Sequence, residues 1–271
     1  MRQRECSTFP WAVLALSIAV VSAWDARAED GSGVAPAVTP YRPSVSTPAQ
    51  LSAPGWLEGE FGGLRSSSDG SDRDSIPYSL KWAFTSDWGI RISGEAVVRD
   101  TRVSSGSRYS FGDTAFVLKR RFVAGHQGTW GRLTNAAFGL EGGYVAPTGR
   151  ESSGSGAYTV NSIFSADAGV WHSDTNVMGT RLTVADPSLG RWQWGWASAL
   201  SRSVTDRWGV VGELSGTHQA GTTDAAQVLV AGSFVLRSGS VVDGGVARSL
   251  QHEGPVTQVF AGITMMLGRI R

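Results

Sequence analysis

Eleven charged residues share one kind of placement: Glu58, Glu60, Lys81, Arg91, Glu95, Asp113, Lys119, Arg121, Glu141, Glu213 and Asp243. Each falls on the polar parity of a stretch whose alternate residues are apolar. Around Lys81, the residues Ile76, Tyr78, Leu80, Trp82 and Phe84 alternate with Ser79, Lys81 and Ala83. After Thr85–Asp87, Trp88, Ile90, Ile92, Gly94, Ala96 and Val98 share one face, and Gly89, Arg91, Ser93 and Glu95 the other. A period of two means β-strands with one apolar and one polar face. Both signs of charge occur together, so these side chains can pair across strands instead of forming a single-sign filter. Two readings follow: a polar, water-filled pathway narrowed by paired charges, or a packed salt-bridge core that fills the space between strands.

Covalent chemistry finds little support in the chain. His126, His172, His218 and His252 are scattered over separate connections and strands. Only His218 or His252, each with a loop serine, offers the base of a lipid-modifying enzyme, and a solvated loop histidine is the simpler account. No histidine–glutamate zinc motif or phosphate loop is present. The acidic run Asp69–Asp74 lacks the terminal Glu of a calcium loop. The reading is of a non-enzyme with no cofactor and no metal.

The elements that must position the eleven charges are strands throughout. The chain has 271 residues, a net charge of +1 and a mean hydropathy of −0.09. The charge gives no argument for nucleic acid, and the hydropathy excludes a bundle of membrane helices. Gly is frequent, at 35 residues, and Lys is confined to Lys81 and Lys119. Arg2 and Arg4, the apolar run Trp11–Ala23 and Ala26-Arg27-Ala28 form a secretory signal with its cleavage pattern, so residues 1–28 are expected to be removed. The lone Cys6 leaves with them. Residues 29–54, with Pro36, Pro40, Pro43, Pro48 and Pro54, read as an extended periplasmic linker; a plug or partner-binding tail is the alternative.

From residue 55 to 271, about twelve amphipathic strands succeed one another. Short turns at Thr85–Asp87, Asp167–Gly169, Thr205-Asp206 and Ser238-Gly239 alternate with longer polar loops, among them Arg65–Ser75, Arg99–Ser110, Pro147–Gly156 and Thr217–Asp224. A shorter connection around Gly125–Gly128 fits the same series. Trp56, Trp82, Trp88, Trp130, Trp171 and Trp208 lie on the short-turn side, as an interfacial aromatic girdle would. Trp192, Trp194 and Trp196 form a stripe on one face, read as lipid-facing. These features predict an all-β, antiparallel, up-and-down transmembrane barrel of the outer-membrane type, with both termini in the periplasm. Its partners are membrane lipids, the machinery that assembles such barrels and a small-molecule solute.

Three stretches resemble a known family. Phe111–Phe122, FGDTAFVLKRRF, is similar to a strand pattern of the outer-membrane family described as putative MetA pathway of phenol degradation, matching at Gly112, Asp113, Lys119, Arg121 and Phe122. GYVAPTGR, Gly143–Arg150, with the glycines 154 and 156, resembles that family's Y-x-x-P-T-G loop. Ser201–Gly216 resembles its T-D-R-W hairpin. The chain departs from the family at its close, MMLGRIR, where Leu267 stands near the expected aromatic residue. The resemblance implies an outer-membrane channel or transporter for small aromatic or hydrophobic compounds. An adhesive or structural barrel acting through its outer loops is the remaining alternative.

Overall fold

The computed structural model describes residues 35–68, 71–101, 108–123, 133–149, 154–184, 188–250 and 256–270. The expected signal segment, Trp130, His126 and His252 lie outside these. Residues 36–271 form one compact unit. Its strands are β1 (Trp56–Ser68), β2 (Ser71–Ala83), β3 (Trp88–Asp100), β4 (Arg108–Ser110), β5 (Thr114–Val123), β6 (Thr134–Ala146) and β7 (Ala157–Ala168). There follow β8 (Trp171–Leu182), β9 (Trp192–Ser203), β10 (Trp208–Gln219), β11 (Ala225–Val235), β12 (Val241–Ser249) and β13 (Thr257–Arg269). Among the described residues there is no helix.

Apart from β4 and β5, consecutive strands pair antiparallel, and β1 pairs with both β2 and β13, which closes the sheet on itself. The short β4 and the longer β5 share one edge of β3, at Val98–Asp100 and Trp88–Ser93 respectively. The two act as one wall element, and the result is a closed 12-strand barrel. Closure gives every described strand except the short β4 a partner on both sides, the condition for a sheet to sit in hydrocarbon.

The distribution of side chains is the reverse of a soluble domain. Glu58, Asn176, Thr264 and Ser165 are wholly buried inside, while Phe116, Leu118, Val177, Trp194, Leu214, Val230 and Val259 lie exposed on the outer face. An outer face this apolar is stable only against lipid.

The tight turns have a local cause. Phe84-Thr85-Ser86-Asp87-Trp88 and Val204-Thr205-Asp206-Arg207-Trp208 fold alike: the first residue's N–H donates to the Trp carbonyl, and the Thr Oγ1 accepts from the Trp N–H at 3.0 Å in both. A threonine hydroxyl substituting for a backbone acceptor is a common way to fix so short a turn. At the β7–β8 turn Gly169 takes φ +64°, the left-handed region that suits glycine.

Several expectations need correction. Residues 65–75 are not a loop over their whole length: Leu64 to Ser68 pair with Ser75 to Ser71, so the hairpin continues to its tip. Arg65 braces it through Asp72 at 2.5 Å and Asp74 at 3.8 Å. The polar composition is that of strands standing in water beyond the lipid-facing zone. Likewise β3 runs to Asp100 and β10 to Gln219. Val98 does not share the outer face of Ile90 and Ile92. A bulge opposite Ile76/Pro77 inserts one extra residue, Ala96, and turns Val98 inward, where it is 3% exposed. Pro77, with no N–H to give the ladder, sits at this irregularity. The largest correction concerns residues 29–54. From Pro36 onward they are not a free extended tether but lie among the inward-facing side chains.

Candidate functional site

Residues 36–53 belong to no strand, and Pro54 makes only an isolated parallel bridge with Ala83, so the backbone groups of this stretch must find partners elsewhere if they are to be buried. The wall supplies these. The N–H of Thr39 donates to Glu58 Oε2 at 2.9 Å and that of Tyr41 to Glu60 Oε1 at 2.6 Å, both on β1. The Arg42 guanidinium reaches Asp243 on β12 at 3.3 and 3.4 Å. On β10, Glu213 accepts from Val45 N at 2.9 Å, Ser46 N at 2.8 Å and Ser46 Oγ at 2.7 Å. Asn176 on β8 accepts from Thr47 N at 2.7 Å and donates to Thr47 O at 3.0 Å. Ala49 N donates to Ser165 Oγ on β7 at 2.8 Å, and its methyl packs with Ala137 and Ile163.

The segment therefore makes a circuit of the inner wall, and it closes on itself. Tyr41 OH donates to Gln50 O at 3.1 Å, and Thr39 Oγ1 to Leu51 O at 3.3 Å. Lys81 Nζ binds Thr39 O at 2.5 Å, and Lys119 Nζ binds Pro48 O at 2.5 Å and the Tyr41 hydroxyl oxygen at 2.8 Å. The two ammonium groups stand 4.1 and 4.3 Å from the centre of the Tyr41 ring, with the Arg91 guanidinium at 5.7 Å. A ring flanked by cations at these distances is held by its quadrupole as well as by its hydroxyl. Tyr41, Ser46, Thr47, Ala49 and Ser52 are all buried.

The ionic pairs that support this arrangement lie mainly between neighbouring strands. Lys81, opposite Glu58 in the β1–β2 register, contacts Glu58 and bridges to Glu60 at 2.7 Å. Lys119 lies opposite Glu141 in the β5–β6 register, 3.6 Å away, and Arg91 approaches the same carboxylate at 3.2 Å. Buried charges of this kind persist only when paired and hydrogen-bonded. A second chain of contacts runs from the β7–β8 turn. His172 sits 2.6 Å from Asp167 and 3.2 Å from Asp174, and Asp174 accepts from the Ser165 hydroxyl that holds Ala49.

Of the eleven charged residues singled out in the sequence, Glu58, Glu60, Lys81, Arg91, Lys119, Glu141, Glu213 and Asp243 come together at this level. The other three do not. Glu95 pairs with Arg73 at 2.5 and 2.8 Å. Asp113 accepts from Gly149 N at 2.9 Å, where the Phe111–Phe122 motif meets the stretch Pro147–Gly149. Arg121 meets Asp87 at 3.4 Å at the turn end. Asn176 and Ser165 were missed, because charge was the criterion and both are neutral; the segment, although it carries Arg42, has no alternation that would place it on a strand. The parity of Asn176, opposite to that of the apolar Val177 beside it, was the available signal.

The described tryptophans Trp56, Trp82, Trp88, Trp171 and Trp208 lie at strand ends on the short-turn side. Arg120 stacks over Trp88 at 4.9 Å, Arg202 over Trp171 at 5.6 Å, and Phe234 packs on Trp208 at 4.8 Å. Trp192 and Trp194 stack at 5.9 Å on the outer face. His218, in β10, lies 2.5 Å from Asp224, a carboxylate rather than a serine hydroxyl.

No protein-family model matches the chain, and no curated protein matches it. Solved structures do. The COG4313 outer membrane channel from Pseudomonas putida F1 superposes with a TM-score of 0.61 at 12% identity, covering 81% of this chain and 98% of that one. The fold is that of an outer-membrane β-barrel. A KdgM porin aligns with a TM-score of 0.48 at 12% identity, over 75% of this chain and 97% of its own.

Proposed function

We propose that this protein is an outer-membrane channel for small solutes, closed by its own residues 36–54 and conducting when they move. One observation carries the reading: the segment is held in the lumen almost wholly by hydrogen bonds to side chains, while the wall is closed independently by its backbone ladder. Movement of the segment therefore leaves the barrel intact. It also leaves a ring of hydrated carboxylates and ammonium groups of the kind that lines a polar pathway.

In this account residues 1–28 are cleaved on export, both termini are periplasmic, and the short-turn tryptophans mark the periplasmic interface. The outer face meets lipid, the assembly machinery inserts the chain, and no covalent chemistry occurs. The resemblance of 111–122, 143–156 and 201–216 to the phenol-degradation family points to small aromatic or hydrophobic solutes, crossing by passive diffusion.

The test is conductance in planar bilayers. The unsubstituted chain is expected to show rare, small openings. Tyr41→Ala combined with Ser46→Pro removes the central ring and an N–H that Glu213 accepts, and openings should become frequent and larger. A loosened barrel that is assembled yet silent contradicts the channel reading and favours a purely structural barrel.

A further inference from the structure

The inner wall is electrostatically lopsided. On β1 to β6 the inward cations Lys81, Arg91 and Lys119 are matched to Glu58, Glu60 and Glu141. From β9 to β13, among the described residues, no Lys or Arg is buried on the inward parity: Arg202, Arg248 and Arg269 are exposed. That half of the wall nevertheless carries two buried carboxylates, Glu213 and Asp243, at 3% and 8% exposure.

Among the described residues, every side-chain hydrogen bond of these two carboxylates goes to the segment. Glu213 binds Val45 and Ser46, and Asp243 binds the Arg42 guanidinium. The wall around Asp243 is shaped for that cation. A Cβ on Gly62 or Gly262 would come within 2.8 or 2.6 Å of the Arg42 guanidine group, so two glycines make room for it. When the segment leaves, Arg42 goes with it, and two carboxylates remain on a face with no cation of its own. Among the eight charged residues that come together there, five carboxylates then face three cations. Such an excess raises the local concentration of positive ions and repels negative ones.

We infer that the opened channel selects cations over anions, with Glu213 and Asp243 as the specificity-determining residues. This rests on the channel reading and adds the charge class of what passes. The experiment is the reversal potential in a KCl gradient, measured on the full chain carrying Arg42→Ser and Ser46→Pro. The expected potential lies toward the potassium equilibrium value, with permeability to potassium several-fold that to chloride. Adding Glu213→Gln and Asp243→Asn should bring the ratio close to equality. An anion-selective pore, or a ratio unmoved by the two neutral substitutions, overturns the inference while leaving the channel standing. Absence of any current contradicts the channel itself and the inference with it. The same ratio, read on spontaneous openings of the unsubstituted chain, decides the matter if the loosened variant does not assemble.

Discussion

Lys81 shows how much depends on single groups in this interior. It contacts Glu58 and Glu60 and also holds the Thr39 carbonyl, with 3% of its side chain exposed. Replacing it by Met leaves two buried carboxylates without their cation. Lys81→Met should therefore cost roughly 3–5 kcal/mol, as loss of one partner of a buried pair does. Urea titration of the barrel in lipid vesicles measures this, and an unchanged midpoint would show that Glu58 and Glu60 are neutral or hydrated without Lys81. The pairing of Lys81 with Glu58 was accessible from sequence, since opposite charges on the polar parity of adjacent strands must face each other. The role of Glu213 was not. Its partners are backbone N–H groups of a segment more than 160 residues away in the chain, at separations of 167 and 168, and no local pattern encodes that contact.

At the scale of elements, alternation located the strands because a lipid-facing wall permits no exception along its middle. Leu118 is such a position: 45% exposed, on the outer face, beside the inward Lys119. Leu118→Arg should destabilise by about 2–4 kcal/mol if it lies near the bilayer midplane, whereas polar changes on the inner face lack that penalty. Folding titrations into vesicles test the contrast, and equal costs on the two faces would contradict the assignment of the outer face to lipid. What alternation did not reveal was where parity breaks or where strands end. The bulge that turns Val98 inward is one inserted residue, invisible to a period of two. The Arg65–Ser75 hairpin looked like a loop because strands outside the membrane need no apolar face. The shared turn chemistry offers a smaller test. Thr85→Ala and Thr205→Ala each remove an acceptor for a Trp N–H and should each cost on the order of 1 kcal/mol.

For the whole molecule, the barrel was legible and its contents were not. Strand number, alternating connections and tryptophan placement all follow from repeated local constraints, so each strand adds evidence for the next. Residues 36–54 have no period, and their proline-rich composition reads equally as a tether in solvent. Only the closed wall, with its inward carboxylates aimed at unpaired N–H groups, gives that stretch a place. The central claim is that this segment is a movable closure. The segment can be fixed covalently: an ideal Cβ on Gly139 lies 3.8 Å from the Ala49 Cα, close enough for a disulfide between cysteines at the two sites. Conductance of the Ala49→Cys/Gly139→Cys chain, oxidised and then reduced in the same bilayer, is the direct measurement. Silence when oxidised and openings restored by reductant are the predicted result; equal current in both states would contradict it.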